Sequence, residues 1–157
     1  MFTLIHVVIS VLGIVSGCVV VGGLIAGARL NGWTAFFLAT TTLTSATGFG
    51  FPFTVVTPAH IVAVVSLVVL VVCLAARYWK QVVGIWRAIY VITAVAALYL
   101  NVFVLVAQLF DKIPALAQLA PWQQGPHFAI TQALVLAFFV WLGRAALRGF
   151  RTAKAGA

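Results

Sequence analysis

The amino-acid sequence predicts an all-α integral membrane protein, a bundle of five transmembrane helices with the N-terminus outside and the C-terminus in the cytoplasm. Three observations lead to this prediction. First, 65% of the 157 residues are hydrophobic and 6% are charged, whereas about a quarter of the residues in a soluble domain are charged. Second, the apolar residues form runs of about 20, the length that crosses a bilayer. Third, the basic residues lie between alternate runs.

The five runs form one transmembrane domain over residues 1–157. Helices of about 20 residues fit because an α-helix rises about 1.5 Å per residue through roughly 30 Å of hydrocarbon. The predicted spans are about 4–27, 34–51, 59–77, 87–110 and 127–147. Between two prolines, apolar residues at helical spacing also predict a short helix within 113–120 that lies on the membrane surface.

The first predicted helix has glycines four residues apart, Gly13 with Gly17 and Gly23 with Gly27. Small residues at this spacing let helix backbones approach closely. Two interpretations stay open, internal packing within the bundle and a seam between two copies of the chain.

The second helix ends in the stretch 40–60, TTTLTSATGFGFPFTVVTPAH, which we expect to form one wall of a polar cavity. Polar atoms at membrane depth cost free energy unless they meet one another, water or a ligand. A hydroxyl can also bond back to the carbonyl one turn earlier in its own helix, so packing is the alternative to ligand binding. The six hydroxyl residues of this stretch that lie in the helix are Thr40, Thr41, Thr42, Thr44, Ser45 and Thr47.

The fourth helix contains two amides, Asn101 and Gln108, which are seven residues apart and so lie on one helix face. An Asn near the middle of a span is costly if it faces lipid. We therefore expect Asn101 to face protein or a cavity.

The basic residues set the predicted orientation. With five spans, the side that holds the C-terminus carries every Lys and Arg except Lys112, which is eight of the nine. The positive-inside rule makes that side cytoplasmic. The C-terminal tail is expected to bind anionic lipid headgroups, with an acidic protein partner as the alternative. A nucleic-acid partner is not expected, because the net charge of +8 lies where membrane topology requires it.

In this orientation all three histidines lie at the outer ends of helices. Together with nearby amides and a hydroxyl, they predict a polar pocket that faces the periplasm and binds a small ligand or cofactor. The residues predicted to bind it are His6, His60, His127, Asn101, Gln108, Gln132 and Thr47.

Three ligands fit this prediction. A transition metal would use His6, His60 and His127 and needs three or four ligands, although the carboxylates and thiolates that often complete such sites are missing. Haem b needs two axial imidazoles and an apolar cleft. A quinone-like lipid is the third candidate. The role would be binding or electron transfer. The alternative is a structural accessory subunit of a larger membrane complex, or a homo-oligomer, in which the polar ends pack against a partner.

Enzymatic and transport functions find less support. The chain has no paired carboxylates, no glycine-rich phosphate loop, no HExxH motif and no base beside a nucleophile. Ion-coupled transporters normally keep an acidic residue inside the membrane, and a pore needs polar groups along its whole length.

The segments TSATGFGFPF, LAARY and YLNVFVLVAQLF resemble parts of small, uncharacterised multi-pass inner-membrane proteins of proteobacteria. The likeness would cover most of the chain. It implies a bacterial inner-membrane location and a multi-pass fold, and it implies no activity and no site residues.

Overall fold

The computed structural model describes residues 1–50, 58–120 and 125–152, and these residues contain no strand. The all-α prediction is confirmed for this part of the chain. Residues 51–57 of the hydroxyl-rich stretch and Lys154 of the basic tail lie outside it. The α-helices are α1 Phe2–Ile25, α2 Asn31–Gly48, α3 Pro58–Leu74, α4 Ile85–Lys112, α5 Pro114–Leu119 and α6 Pro126–Thr152, and a π-helical turn, Ala75–Trp79, continues α3.

Four helices among the described residues are long and apolar enough to cross a membrane, which indicates a membrane protein. They are Phe2–Ile25, His60–Trp79, Ile85–Lys112 and Pro126–Arg151. Only 17% to 39% of their most apolar segments is buried inside the chain. Most of their surface therefore faces outward, as in helices surrounded by lipid. The predicted fifth span, α2, is not among the four because its hydroxyl and amide side chains lower its hydropathy.

α1 and α2 form an antiparallel pair that stays in contact along its length. Near the turn, a Cβ added at Gly23 would lie 2.6 Å from Cδ1 of Leu30, and one at Gly17 would lie 2.8 Å from the ring of Phe37. Farther along, a Cβ at Gly13 would lie 3.4 Å from two threonine hydroxyls of α2. The glycine face of α1 is thus used for packing within the bundle.

The long helices form a ring in which α1, α2, α3, α4 and α6 each contact the next, and α6 closes on α1. α1 also touches α4 across the middle of the ring. α6 runs in the same direction as α1, since Gly149 packs on the backbone of Ile25 near the C-terminus of each helix. In this ring α2 lies between α1 and α3 and contacts both.

Large side chains from three helices fill the centre of the ring. Tyr90 and Leu98 of α4, Phe37 of α2 and Leu70 of α3 are all less than 2% exposed. In lipid, apolar burial gives little drive for helices to associate, so close van der Waals packing and interhelical hydrogen bonds must hold them together.

The two ends of the bundle differ in charge. We call the end with the C-termini of α1 and α6 the basic end and the opposite end, which holds the three histidines, the histidine end. At the histidine end, the described charged side chains are Lys112 and Asp111, whose Nζ and Oδ2 lie 2.8 Å apart. The described cations of the basic end are Arg29, Arg77, Lys80, Arg87, Arg144, Arg148 and Arg151.

The link between α3 and α4 uses an unusual backbone. After the π-helical turn, Gln81 and Val82 have φ angles of +53° and +58°. The left-handed conformation costs an L-residue about 1–2 kcal/mol, and more for a branched side chain. The amide of Val82 donates to the carbonyl oxygen of Ala76 at 3.0 Å, and its side chain is 2% exposed. The hydrogen bond and the burial of the Val82 side chain offset this strain. The hydrogen bond also ties the link to the π-helical turn that contains Arg77.

Candidate functional site

Half of the hydroxyls at the C-terminal part of α2 are satisfied by their own helix. The distance from the hydroxyl oxygen to the carbonyl oxygen four residues earlier is 2.8 Å at Thr40, 2.7 Å at Thr42 and 2.7 Å at Thr47. Such back-bonding is common for threonine inside membranes. For these three threonines the structure supports packing within the bundle rather than ligand binding.

Thr41 instead points across the bundle toward α4. Its Oγ1 accepts a hydrogen bond of 3.2 Å from Nδ2 of Asn101. Thr41 is fully buried, and Asn101 is 8% exposed. A Cβ at Gly13 of α1 would lie 3.4 Å from this hydroxyl and 3.5 Å from the amide nitrogen. Asn101 therefore faces the interior, and the missing side chain at Gly13 leaves the space in which the two groups meet.

Thr47 joins α2 to α1 through His6. Nδ1 of the imidazole and Oγ1 of Thr47 are 2.8 Å apart. A hydroxyl has one proton, and Thr47 already donates it to the carbonyl of Leu43. The hydrogen bond therefore assigns a proton to Nδ1 of His6, with Thr47 as acceptor.

Thr44 lies between these two contacts, three residues from Thr41 and three from Thr47. Its Oγ1 is buried and has no hydrogen-bond partner in the described part of the chain. We call Thr41, Thr44 and Thr47, with Asn101 and His6, the hydroxyl seam. An unpartnered hydroxyl in an apolar environment costs about 1–3 kcal/mol, so a hydrogen bond to Thr44 would stabilise the seam.

His60 of α3 lies at the same end of α2 as His6. Its ring centroid is 6.2 Å from that of Phe49, the residue that caps α2. The structure thus brings two of the three histidines to the C-terminus of α2.

The third histidine, His127, is exposed in the first turn of α6. At this end α6 packs on α4, where the rings of Phe128 and Phe110 meet at 5.4 Å. The described residues contain no group of three or more His, Cys, Asp or Glu side chains that could hold a metal ion. The predicted three-histidine metal set, His6 with His60 and His127, is therefore not assembled there: His6 contacts α2, whereas His127 begins the helix that packs on α4.

The two predicted glutamines lie apart from the hydroxyl seam. Gln108 is exposed on α4. Gln132 of α6 donates a hydrogen bond of 3.1 Å from Nε2 to the carbonyl of Phe103, and its Oε1 is buried without a partner among the described residues. Gln132 thus links α6 to α4.

No protein-family model, curated protein or solved structure matches this chain. Its function is therefore inferred from the chemistry of the hydroxyl seam.

The hydroxyl seam contains hydroxyls, one amide and one imidazole, and no carboxylate or thiolate. Such groups exchange hydrogen bonds with a neutral molecule that carries oxygen atoms, and they offer little to a divalent cation. Sequence reasoning placed Thr44 on a polar face but did not select it. The spacing of Thr41, Thr44 and Thr47, three residues apart on one helix face, is the signal that identifies it.

Proposed function

We propose that this chain is a multi-pass protein of the bacterial inner membrane that binds a small neutral ligand at the histidine end, in a binding or electron-transfer role. The observation that supports the proposal is the buried, unpartnered hydroxyl of Thr44. It lies between two interhelical hydrogen bonds, from Asn101 to Thr41 and from His6 to Thr47. These bonds fix the helices on both sides, so the hydroxyl is held ready for a ligand atom.

A quinone-like lipid is the ligand class that fits best. Its carbonyl oxygens accept hydrogen bonds from hydroxyls, and its ring and tail are soluble in the bilayer. Phe49, beside His60, adds an aromatic face at the same end. A metal ion would need three or four strong ligands at one point, and haem b would need two axial imidazoles on facing helices.

The topology that we propose has five spans, with α2 as the fifth, the N-terminus in the periplasm and the C-terminus in the cytoplasm. α2 has 18 residues and pairs with α1 from the turn to His6, so it covers nearly the same depth. Its place in the ring is shielded by α1 and α3, which reduces the cost of its hydroxyls. The cations of the basic end support a cytoplasmic location for that end. The ligand then enters from the periplasmic half of the membrane.

A quinone-binding experiment tests the proposal. The full chain is purified in detergent, and its tryptophan fluorescence is followed during titration with decylubiquinone. Thr44→Val removes the hydroxyl and keeps the shape of the side chain. Loss of one hydrogen bond of about 1 kcal/mol predicts a Kd that rises about fivefold.

Thr42→Val is the matched control, since Thr42 is a half-buried residue of the same helix whose hydroxyl bonds to Leu38. Its Kd should stay within about twofold of the unsubstituted chain. Equal effects of the two variants, or no quenching by decylubiquinone, would refute the quinone assignment. A Soret band or a stoichiometric metal would replace it with haem or metal binding. A ligand-free protein that purifies with other subunits would support the accessory-subunit alternative.

A further inference from the structure

The outer surface of the pair α4 and α6 has an open groove of about 270 Å³ that is separate from the hydroxyl seam. Ile92, Val95 and Tyr99 line it from α4, and Phe139, Gly143 and Arg144 line it from α6. The lining is apolar apart from Arg144 and the tyrosine hydroxyl. At Gly143 a Cβ would lie 3.7 Å from Cγ1 of Val95, so the lack of a side chain there keeps the floor of the groove open.

The groove is about as long as one leaflet on its α6 side and shorter on its α4 side. Its lining extends on α6 from Leu136 to Leu147, eleven residues that rise roughly 16 Å along a helix, and on α4 from Ile92 to Tyr99, seven residues that rise roughly 10 Å. Half of the hydrocarbon thickness is about 15 Å. A single extended acyl chain fits a groove of this length.

Arg144 lies toward the end of the groove that is nearer the basic end, and its guanidinium group makes that end of the groove positively charged. The only acidic residue of the chain, Asp111, lies at the histidine end and pairs with Lys112. The positive charge of Arg144 is therefore not balanced by an acidic side chain of this protein. A long arginine side chain can extend from the hydrocarbon to the headgroup level, where phosphate oxygens accept its hydrogen bonds.

We propose that this groove is a binding site for an anionic phospholipid of the leaflet at the basic end. One acyl chain lies between α4 and α6, and the phosphate pairs with Arg144. The site does not depend on ligand binding at the hydroxyl seam, because it is formed by other faces of the bundle.

Native mass spectrometry of the full chain tests this site. The protein is mixed with equal amounts of phosphatidylglycerol and phosphatidylcholine that have identical acyl chains, and the retained lipids are counted. One phosphatidylglycerol per chain is expected to be retained preferentially. Arg144→Gln should lower that preference about fivefold, the effect of one cation near an anionic surface. Lys80→Gln, at an exposed cation of the basic end that lies outside both the groove and the C-terminal tail, should leave it unchanged.

Filling the groove tests the acyl-chain contact. Gly143→Leu should abolish retention of both lipids, and Ala96→Leu, which fills the groove from α4, should do the same. Gly22→Leu is the control, because nothing lies within 4 Å of a Cβ at that position. If both groove-filling variants keep the lipid, or if Arg144→Gln behaves as Lys80→Gln, the proposal is wrong. Displacement of the lipid by glycerol 3-phosphate would also overturn it, since it would identify a site for a free anion.

Discussion

Nδ2 of Asn101 lies 3.2 Å from Oγ1 of Thr41, so one side-chain hydrogen bond joins α4 to α2 in the interior of the bundle. The two residues are 60 positions apart in the chain and almost completely buried. α2 is the long helix that is not among the four candidate membrane spans, and this bond fixes how it rotates against its neighbours. The rotation in turn directs Thr44 inward.

A double-mutant cycle measures this bond. Thr41→Val leaves the amide of Asn101 without its partner and should lower the free energy of unfolding by about 1 kcal/mol. Asn101→Leu should lower the free energy of unfolding by a similar amount. The double variant should lose less than the sum of the two single losses, and the difference, the coupling energy, should be about 0.6 kcal/mol, as for other interhelical hydrogen bonds in membranes. Unfolding by SDS in mixed micelles provides the measurement. Strictly additive effects would contradict the bond.

The stability of the contact between α1 and α6 should depend strongly on the size of the side chain at position 149. A Cβ at Gly149 would lie 1.8 Å from the carbonyl oxygen of Ile25, which is backbone and cannot turn away. Gly149→Ala must push the two helices apart and should destabilise the protein by about 1–3 kcal/mol. Gly22→Ala, with open space around the new methyl group, should be neutral or slightly stabilising. Thermal unfolding of both variants checks this, and equal Tm values would contradict the close approach.

The sequence predicted the part of the fold that depends on periodicity and charge. It placed each long helix within about five residues of its bounds in the structure and the cations at one end. It left open whether the glycine face of α1 packs within the bundle or against a second copy. It did not predict which hydroxyls bond to their own helix. That choice depends on side-chain rotation, so Thr41 and Thr47 look alike in the sequence although one meets Asn101 and the other His6.

Two further features have no local signal in the sequence. The three histidines share an end of the bundle, but at that end His6 contacts α2 whereas the first turn of α6, which carries His127, packs on α4, and these contacts join distant segments of the chain. The second feature is the environment of Arg77, a cation of the basic end. The π-helical turn brings its guanidinium carbon to 5.1 Å from the ring centre of Tyr90, a residue that is 1% exposed.

The contact of Arg77 with Tyr90 leads to a graded prediction. The ring supplies most of the stabilisation, because the hydroxyl of Tyr90 makes only a long contact of 3.4 Å with Thr34. Tyr90→Phe should therefore cost less than about 1 kcal/mol. Tyr90→Leu removes the cation–π contact and leaves a void, and it should cost at least about 2 kcal/mol. Tyr78→Leu, at an exposed ring 5.9 Å from the same cation, should change stability by less than about 0.5 kcal/mol.

These three variants are compared by SDS unfolding. If Tyr78→Leu costs as much as Tyr90→Leu, the buried cation–π contact is not a stabilising one. If Tyr90→Phe is as damaging as Tyr90→Leu, the hydroxyl rather than the ring is the important group.

Whether α2 crosses the membrane can be tested by labelling single cysteines in intact cells. Ala28, Phe49, Val83 and Ala115 are exposed residues in or next to four successive connections between the long helices. With five spans, cysteines at Phe49 and Ala115 should react with a membrane-impermeant maleimide added outside. Cysteines at Ala28 and Val83 should react only after the cells are permeabilised.

The background for this experiment replaces both native cysteines, Cys18, which is exposed, and Cys73, which is buried. The topologies with and without α2 as a span differ in which of the four cysteines are labelled from outside, and not only in how strongly they are labelled. If α2 does not cross, Ala28 and Phe49 lie on the same side, and Val83 lies opposite to both. That result would move the hydroxyl seam out of the membrane core, where a hydroxyl such as that of Thr44 can bond to water. An alternating pattern keeps Thr44 at membrane depth, where its hydroxyl, which has no partner among the described residues, is available to the proposed ligand.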